Sequence, residues 1–344
     1  MRSAFTSVFR NLSIRRKSYN APISVNGIEV RGDVNGNIVI GHGNRILQYV
    51  VNKIHGTVIN YYTRPAVKLR DVKPQPPRLP TDFVGRETEL KALEQQIKSR
   101  NAVLLHGHEG IGKTTLIKKA ANGDATSALP DGVIFLEREE DQSQILGFED
   151  LLQKLFDALH ESDPHLKVDR TVARTYLSNT KPLVLIDRFD IPVQSLITLP
   201  DYFPKGAVVV TTLDAIPTEA YESIGLAPLS RDDSIQLLSV KSGIDRNAGS
   251  IPIMDEICAI LADVPLAITT TAKAIREKRT TLSDVSSQLK RLQSSSSDKT
   301  QAAIERGYAL VYSLLNREER DALLAAAVSS GISIDREMLE SIVG

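Results

Sequence analysis

One cysteine, Cys258, stands in 344 residues. A lone thiol excludes an internal disulfide framework and fits a reducing compartment, so a cytoplasmic setting is expected. Cys258 itself reads as a small buried apolar residue on a helix. Long apolar runs are also missing. None approaches the ~20 residues that a membrane-spanning helix requires, so no span is expected. Acids are absent from the first twenty residues, which carry Arg2, Arg10, Arg15, Arg16 and Lys17. That composition suits a transit peptide or a basic arm.

The charge imbalance continues beyond that arm. Residues 1–80 hold 13 Lys+Arg and 3 Asp+Glu, a net of +10; the other residues hold 29 and 39, a net of −10. The arm is compatible with solubility, with an anionic surface, or with docking on the acidic remainder. A hydrophobic share of 42% and a charged share of 24% describe an ordinary globular chain, long enough for two or three domains.

Three zones follow from the pattern. Residues 1–64 are punctuated by Gly and Asn. Val25-Asn-Gly-Ile-Glu-Val-Arg-Gly32 aligns with Val34-Asn-Gly-Asn-Ile-Val-Ile-Gly41, and His55 to Asn60 forms a looser copy. Each Asn-Gly can take the positive φ of a tight turn, so short β-arcs are expected there. Residues 65–80 carry Pro65, Pro74, Pro76, Pro77 and Pro80 and read as an extended spacer. From residue 81, apolar strands (101–107, 132–137, 182–186, 207–212) alternate with helical patterns (112–121, 145–160). Such alternation implies an α/β fold with a parallel sheet covered on both faces. After Ser230 the pattern is helical only, at 231–243, 251–261, 264–278 and 281–292. The expected domains are 81–230 for the sheet, 231–298 for a helical domain and 299–344 for the start of a further helical unit.

Gly107-His-Glu-Gly-Ile-Gly-Lys-Thr114 fits the phosphate-loop pattern G-x-x-x-x-G-K-S/T. It follows an apolar strand and opens a helix, as the pattern requires. Gly110 and Gly112 let the backbone curl so that N–H groups face phosphates, and the helix N-terminus adds positive potential. Lys113 is expected to reach the β- and γ-phosphates, and Thr114 to ligate Mg²⁺. Asp187, at the end of the strand Leu183-Val-Leu-Ile186, is the second Mg²⁺ partner.

These residues and four others in order resemble a family, the signal-transduction ATPases with numerous domains and among them the NB-ARC group. Phe83-Val-Gly-Arg-Glu-Thr-Glu-Leu90, Val208-Val-Val-Thr-Thr212, Leu226 to Leu238 and Leu261-Ala-Asp-Val-Pro-Leu-Ala-Ile268 resemble its successive motifs. Ala309 to Gly344 resembles the start of its winged-helix domain. The resemblance implies ADP or ATP with Mg²⁺ as cofactors. Val84, Gly85 and Arg86 would border the adenine. Gly107, Ile111, Thr115 and Thr212 would contact the nucleotide, with Pro265 and Leu266 closing on it from the helical domain. It also implies a switch that assembles into a homo-oligomer. Arg188 stands where the family commonly has a second acid, and Leu213 where it has an arginine on the γ-phosphate. Slow or absent ATP hydrolysis is therefore expected, with Asp187 and Lys113 as its residues. The family's late histidine motif and sensor repeats lie beyond residue 344, so the chain reads as a truncated form.

Ile38-Val-Ile-Gly-His-Gly-Asn-Arg-Ile46 resembles the RIP homotypic interaction motif at each defining position except Val39, where that motif has Gln. Ile38, Ile40, Gly41, Asn44 and Ile46 would form a stacked, self-assembling arc, with an effector carrying a matching β motif as partner. A small folded β element and plain disorder are the alternatives. A transcription regulator of the same group, a hydrolysing ATPase and an inert adaptor are the rival functions. Nucleic acid is not expected, because Arg317, Arg320 and Arg336 are offset by neighbouring acids.

Overall fold

A computed structural model of the chain describes residues 23–25, 28–30, 58–60, 66–138, 147–163, 166–188, 192–278, 280–292 and 296–320. It divides into two compact units, Met1–Val67 with Ser162–Leu166, and Lys68–Glu161 with Lys167–Gly344.

In the first unit, β1 (Ile23–Val25), β2 (Ile28–Val30) and β3 (Val58–Asn60) form an antiparallel sheet in that order. Val25 pairs with Ile28, so only Asn26-Gly27 lies between the paired strand ends. That is the two-residue spacing an Asn-Gly hairpin turn serves. The expected self-assembly residues Ile38, Ile40, Gly41, Asn44 and Ile46 lie outside the described residues.

Beyond β4 (Ala66–Leu69), the second unit opens with an extended strap rather than a free spacer. Arg70 donates its N–H to the Leu159 carbonyl at 2.8 Å, and the Pro74 carbonyl accepts from Val133 N–H at 2.9 Å. Asn122 donates to the Pro77 carbonyl at 2.9 Å. Proline has a carbonyl to offer and no N–H, so a proline-rich strap can satisfy a sheet edge while remaining a poor template for further strands.

Helix α1 (Glu87–Lys98) follows, with Glu87 and Glu89 in its first turn and Lys98 in its last, matching the helix dipole. Its Leu93 and Ile97, one turn apart, are fully buried and contribute about 1.5–3 kcal/mol each. Next come β5 (Ala102–His106), α2 (Lys113–Ala121), β6 (Val133–Glu137), α3 (Phe148–Leu159), β7 (His160–Asp163), α4 (Arg170–Leu177), β8 (Leu183–Asp187), α5 (Val193–Thr198), β9 (Ala207–Thr212) and β10 (Glu222–Gly225). The sheet order is β10-β5-β9-β8-β6, and each pairing is parallel. The chain leaves β5 for the far edge, returns through β8 and β9, and then crosses to β10 on the other flank of β5. The carboxyl end of β5 therefore lies at the point where strand order reverses, where open α/β sheets bind ligands. The five parallel strands with flanking helices and the loop after β5 are a P-loop NTPase fold.

The remaining described chain is helical: α6 (Arg231–Ser242), α7 (Ile251–Ile260), α8 (Pro265–Lys278), α9 (Leu282–Arg291) and α10 (Lys299–Leu314). Their apolar faces share one core that includes Leu238, Met254, Ile257, Cys258, Ile268 and Leu310. A Cβ added to Gly307 of α10 would lie 3.3 Å from the Ala267 backbone, so a glycine there lets α10 approach α8 closely. Among the described residues, no helix is long and apolar enough to cross a membrane.

Candidate nucleotide-binding site

The loop Gly107–Gly112 connects the buried strand β5 to α2. Gly107, Gly110 and Gly112 have φ of 152°, 72° and 102°, a region that side chains rarely adopt. The N-cap of α2 is Gly112, and no side chain caps that helix. A Cβ at Gly112 would meet nothing within 4 Å, whereas one at Gly110 would lie 2.7 Å from Leu266 Cβ. The loop thus has an open side at the helix N-terminus and a closed side against α8. An uncapped helix N-terminus with an open approach is a ready anion site.

Lys113 is buried, and its ammonium donates to the carbonyls of Gly107 (2.6 Å) and His108 (2.9 Å). Burial lowers its pKa, with Asp187 acting in the opposite sense. One helical position on, the Thr114 hydroxyl donates to Asp187 Oδ2 at 2.6 Å. Thr211 Oγ1 donates to Asp187 Oδ1, also at 2.6 Å. A hydroxyl and a carboxylate in contact, both hard oxygen donors, fit a magnesium ion that keeps several waters. Thr114 and Asp187 would hold it, and its charge would help neutralise phosphate oxygens.

A cavity of about 280 Å³ opens beside the loop. Val84, Arg86, Ile111, Gly112, Thr115 and Pro265 all line it. Asp82 and Lys241 of α6 also line it and form an ion pair at 2.9 Å. Gly85 does not line the cavity; its φ is 68°, and a Cβ there would lie 2.6 Å from Asp233 Cγ. The Arg86 guanidinium is committed to structure. It donates to the Ile111 carbonyl (3.2 Å), the Ala227 carbonyl (2.5 Å) and Glu89 (2.7 Å). Leu266 packs on Gly110 and donates its N–H to the Gly110 carbonyl at 3.1 Å. Thr212, at the end of β9, donates to the Asp214 carbonyl at 2.8 Å and does not line the cavity. Leu213 is exposed, and its carbonyl accepts from Gly107 N–H at 3.1 Å.

Three contributors were not apparent in the sequence. Thr211 holds the second oxygen of Asp187. Glu137, the last residue of β6, pairs with Lys118 at 3.0 Å and with Arg188 at 3.4 Å. The Asp82–Lys241 pair joins the segment before α1 to α6. The available signal for Glu137 was the one that marks Asp187, an acid closing an apolar strand.

Residues 82–240 match the AAA ATPase domain. The matched segment runs from Asp82, which lines the cavity, through the phosphate loop and Asp187 to α6, and the match implies nucleotide binding. No curated protein matches the chain. Among solved structures, the Walker-type ATPase of Pyrococcus abyssi is similar at 15% identity and a TM-score of 0.46, covering 75% of this chain and 80% of that one. A Signal Transduction ATPase with Numerous Domains from Pyrococcus horikoshii, with a tetratricopeptide repeat sensor, is similar at 15% identity and a TM-score of 0.48. That match covers 75% of this chain and 36% of the other.

Proposed function

We propose that the chain is a nucleotide-dependent signalling switch of the signal-transduction ATPase type. The observation that carries this reading is the bond from Leu266 N–H to the Gly110 carbonyl. The loop that would hold phosphates is in contact with the first turn of a helix in the neighbouring bundle. Whatever re-forms the loop is felt by the bundle, which is the differential contact that a ligand-driven switch needs.

Lys113 and the amides at the start of α2 would bind the polyphosphate. A phosphate oxygen is a stronger acceptor for an ammonium than the carbonyls that Lys113 now contacts. Val84, Ile111 and Pro265 would enclose the base. ADP would hold the helical bundle closed on the loop, and exchange for ATP would release it and drive assembly into a homo-oligomer. Assembly would gather copies of the basic N-terminal segment, where Ile38 to Ile46 would nucleate a β-stack that templates an effector. The switch would work between residues 81–230 and the helical residues 231–298, with α10 at the start of 299–344 packed into the same helical core.

Size-exclusion chromatography with light scattering tests the reading. The full chain is expected to be monomeric with Mg-ADP and oligomeric with a non-hydrolysable ATP analogue. Lys113→Ala should show neither response. A mass independent of nucleotide would refute the switch.

A further inference from the structure

Arg188 follows Asp187 where an acid would be expected, yet a carboxylate stands beside that position. Glu137 ends β6 and is the register partner of Asp187 at the end of β8. Partners on parallel strands point to the same face, and neighbouring strands lie about 4.8 Å apart. The two carboxylates therefore leave the sheet side by side, at the end where the phosphate loop lies.

Helix α2 covers that face and meets both acids. Thr114 and Lys118, one turn apart, reach neighbouring strands: Thr114 donates to Asp187 at 2.6 Å, and Lys118 pairs with Glu137 at 3.0 Å. The Lys118 ammonium also lies 4.8 Å from the centre of the Phe135 ring, two residues before Glu137 on the same face. The Arg188 guanidinium spans both acids, 3.4 Å from Glu137 Oε1 and 3.8 Å from Asp187 Oδ2. Its backbone is left-handed, with φ of 56°, and its N–H is held by Thr211 Oγ1 at 3.2 Å.

Asp187 is fully buried, and both of its oxygens accept hydroxyl bonds. The Glu137 side chain is 34% exposed and can be approached from solvent.

We propose that Glu137 is the carboxylate that orients the attacking water in ATP hydrolysis, the role that residue 188 does not fill. The inference deepens the nucleotide-site reading and rests on it. The water oxygen forms a bond to the γ-phosphorus. The bond from that phosphorus to the bridging oxygen breaks, its electron pair leaves with the diphosphate, and the water proton passes to Glu137. Lys118 is a positioning residue for Glu137. Arg188 bridges the two acids.

The test uses the full chain loaded with Mg-ATP and measures affinity, melting temperature, the ATP:ADP ratio that stays bound, and single-turnover conversion. Glu137→Gln should leave affinity within about threefold and retain bound ATP. Its conversion should fall by about 10²–10⁴-fold, the usual contribution of a general base. Glu137→Asp, which keeps the charge, should convert at least about tenfold faster than Glu137→Gln. Unchanged affinity with wild-type conversion in Glu137→Gln, or equal loss in both variants, overturns the assignment. A wild-type chain that binds no adenine nucleotide removes the parent reading instead, a result distinguishable because it appears before any substitution is made.

Discussion

Leu266 donates its backbone N–H to the carbonyl of Gly110 at 3.1 Å, joining the first turn of α8 to the tip of the phosphate loop. The contact is tight because residue 110 has no side chain. A Cβ there would lie 2.7 Å from Leu266 Cβ and 3.2 Å from Ile304 Cδ1. Gly110→Ala combines this overlap with a left-handed backbone at φ of 72°. It should cost about 1–3 kcal/mol. Calorimetric melting checks the loss, and weaker Mg-ATP binding should accompany it.

The Thr114–Asp187 pair predicts a magnesium-specific defect. Thr114→Ala and Asp187→Asn should each remove most of the gain in nucleotide affinity that magnesium confers, while affinity measured in EDTA changes little. Titration with a fluorescent ADP analogue, with and without Mg²⁺, separates the two terms. Equal losses in both conditions would assign Thr114 a structural role only.

Much of this site was legible in the sequence, for a physical reason. The loop after β5 is local: glycines, lysine and threonine at fixed spacing encode a turn and a helix start. Each of the strands β5, β6, β8 and β9 is an apolar run whose burial needs a parallel sheet. The Pro-rich stretch misled, because proline composition marks extended geometry without revealing whether anything accepts it; Pro74 meets the β6 edge through one carbonyl. Arg86 was expected beside the base; it lines the cavity, and its guanidinium also ties α1, the loop and Ala227 together. Glu137 escaped notice because its meaning comes from register. Only the pairing of β6 with β8 places it next to Asp187.

Asp263, just before α8, holds a left-handed φ of 57°. The Arg231 guanidinium grips its carboxylate with two bonds of 2.8 Å and also pairs with Asp255 at 3.1 Å. Asp263→Ala loses that bidentate pair and keeps the unfavourable backbone, so it should destabilise by about 1–3 kcal/mol. Asp263→Gly relieves the backbone while losing the same pair, and its melting temperature should lie between those of wild type and Asp263→Ala.

His160 predicts a pH dependence. It is buried, its Nδ1 has no hydrogen-bond partner, and its ring stacks on Phe156 at 4.9 Å. Burial pushes its pKa below the ordinary value. The unfolded chain takes up this proton near pH 6.5, and the folded chain only at lower pH. Between those values the unfolded state binds more protons, so stability falls as pH drops below about 6.5 and levels off beneath the folded value. Urea melts from pH 7.5 to 5 should show the loss, and His160→Phe should flatten it.

The central claim is that Lys113 and the amides opening α2 grip a polyphosphate. Isothermal titration of the full chain with Mg-ADP and Mg-ATP measures this most directly. The account predicts one site with micromolar or tighter affinity, weakened at least about a hundredfold by Lys113→Ala, a loss of roughly 2.7 kcal/mol. No binding at millimolar nucleotide, or equal binding by wild type and Lys113→Ala, would contradict it.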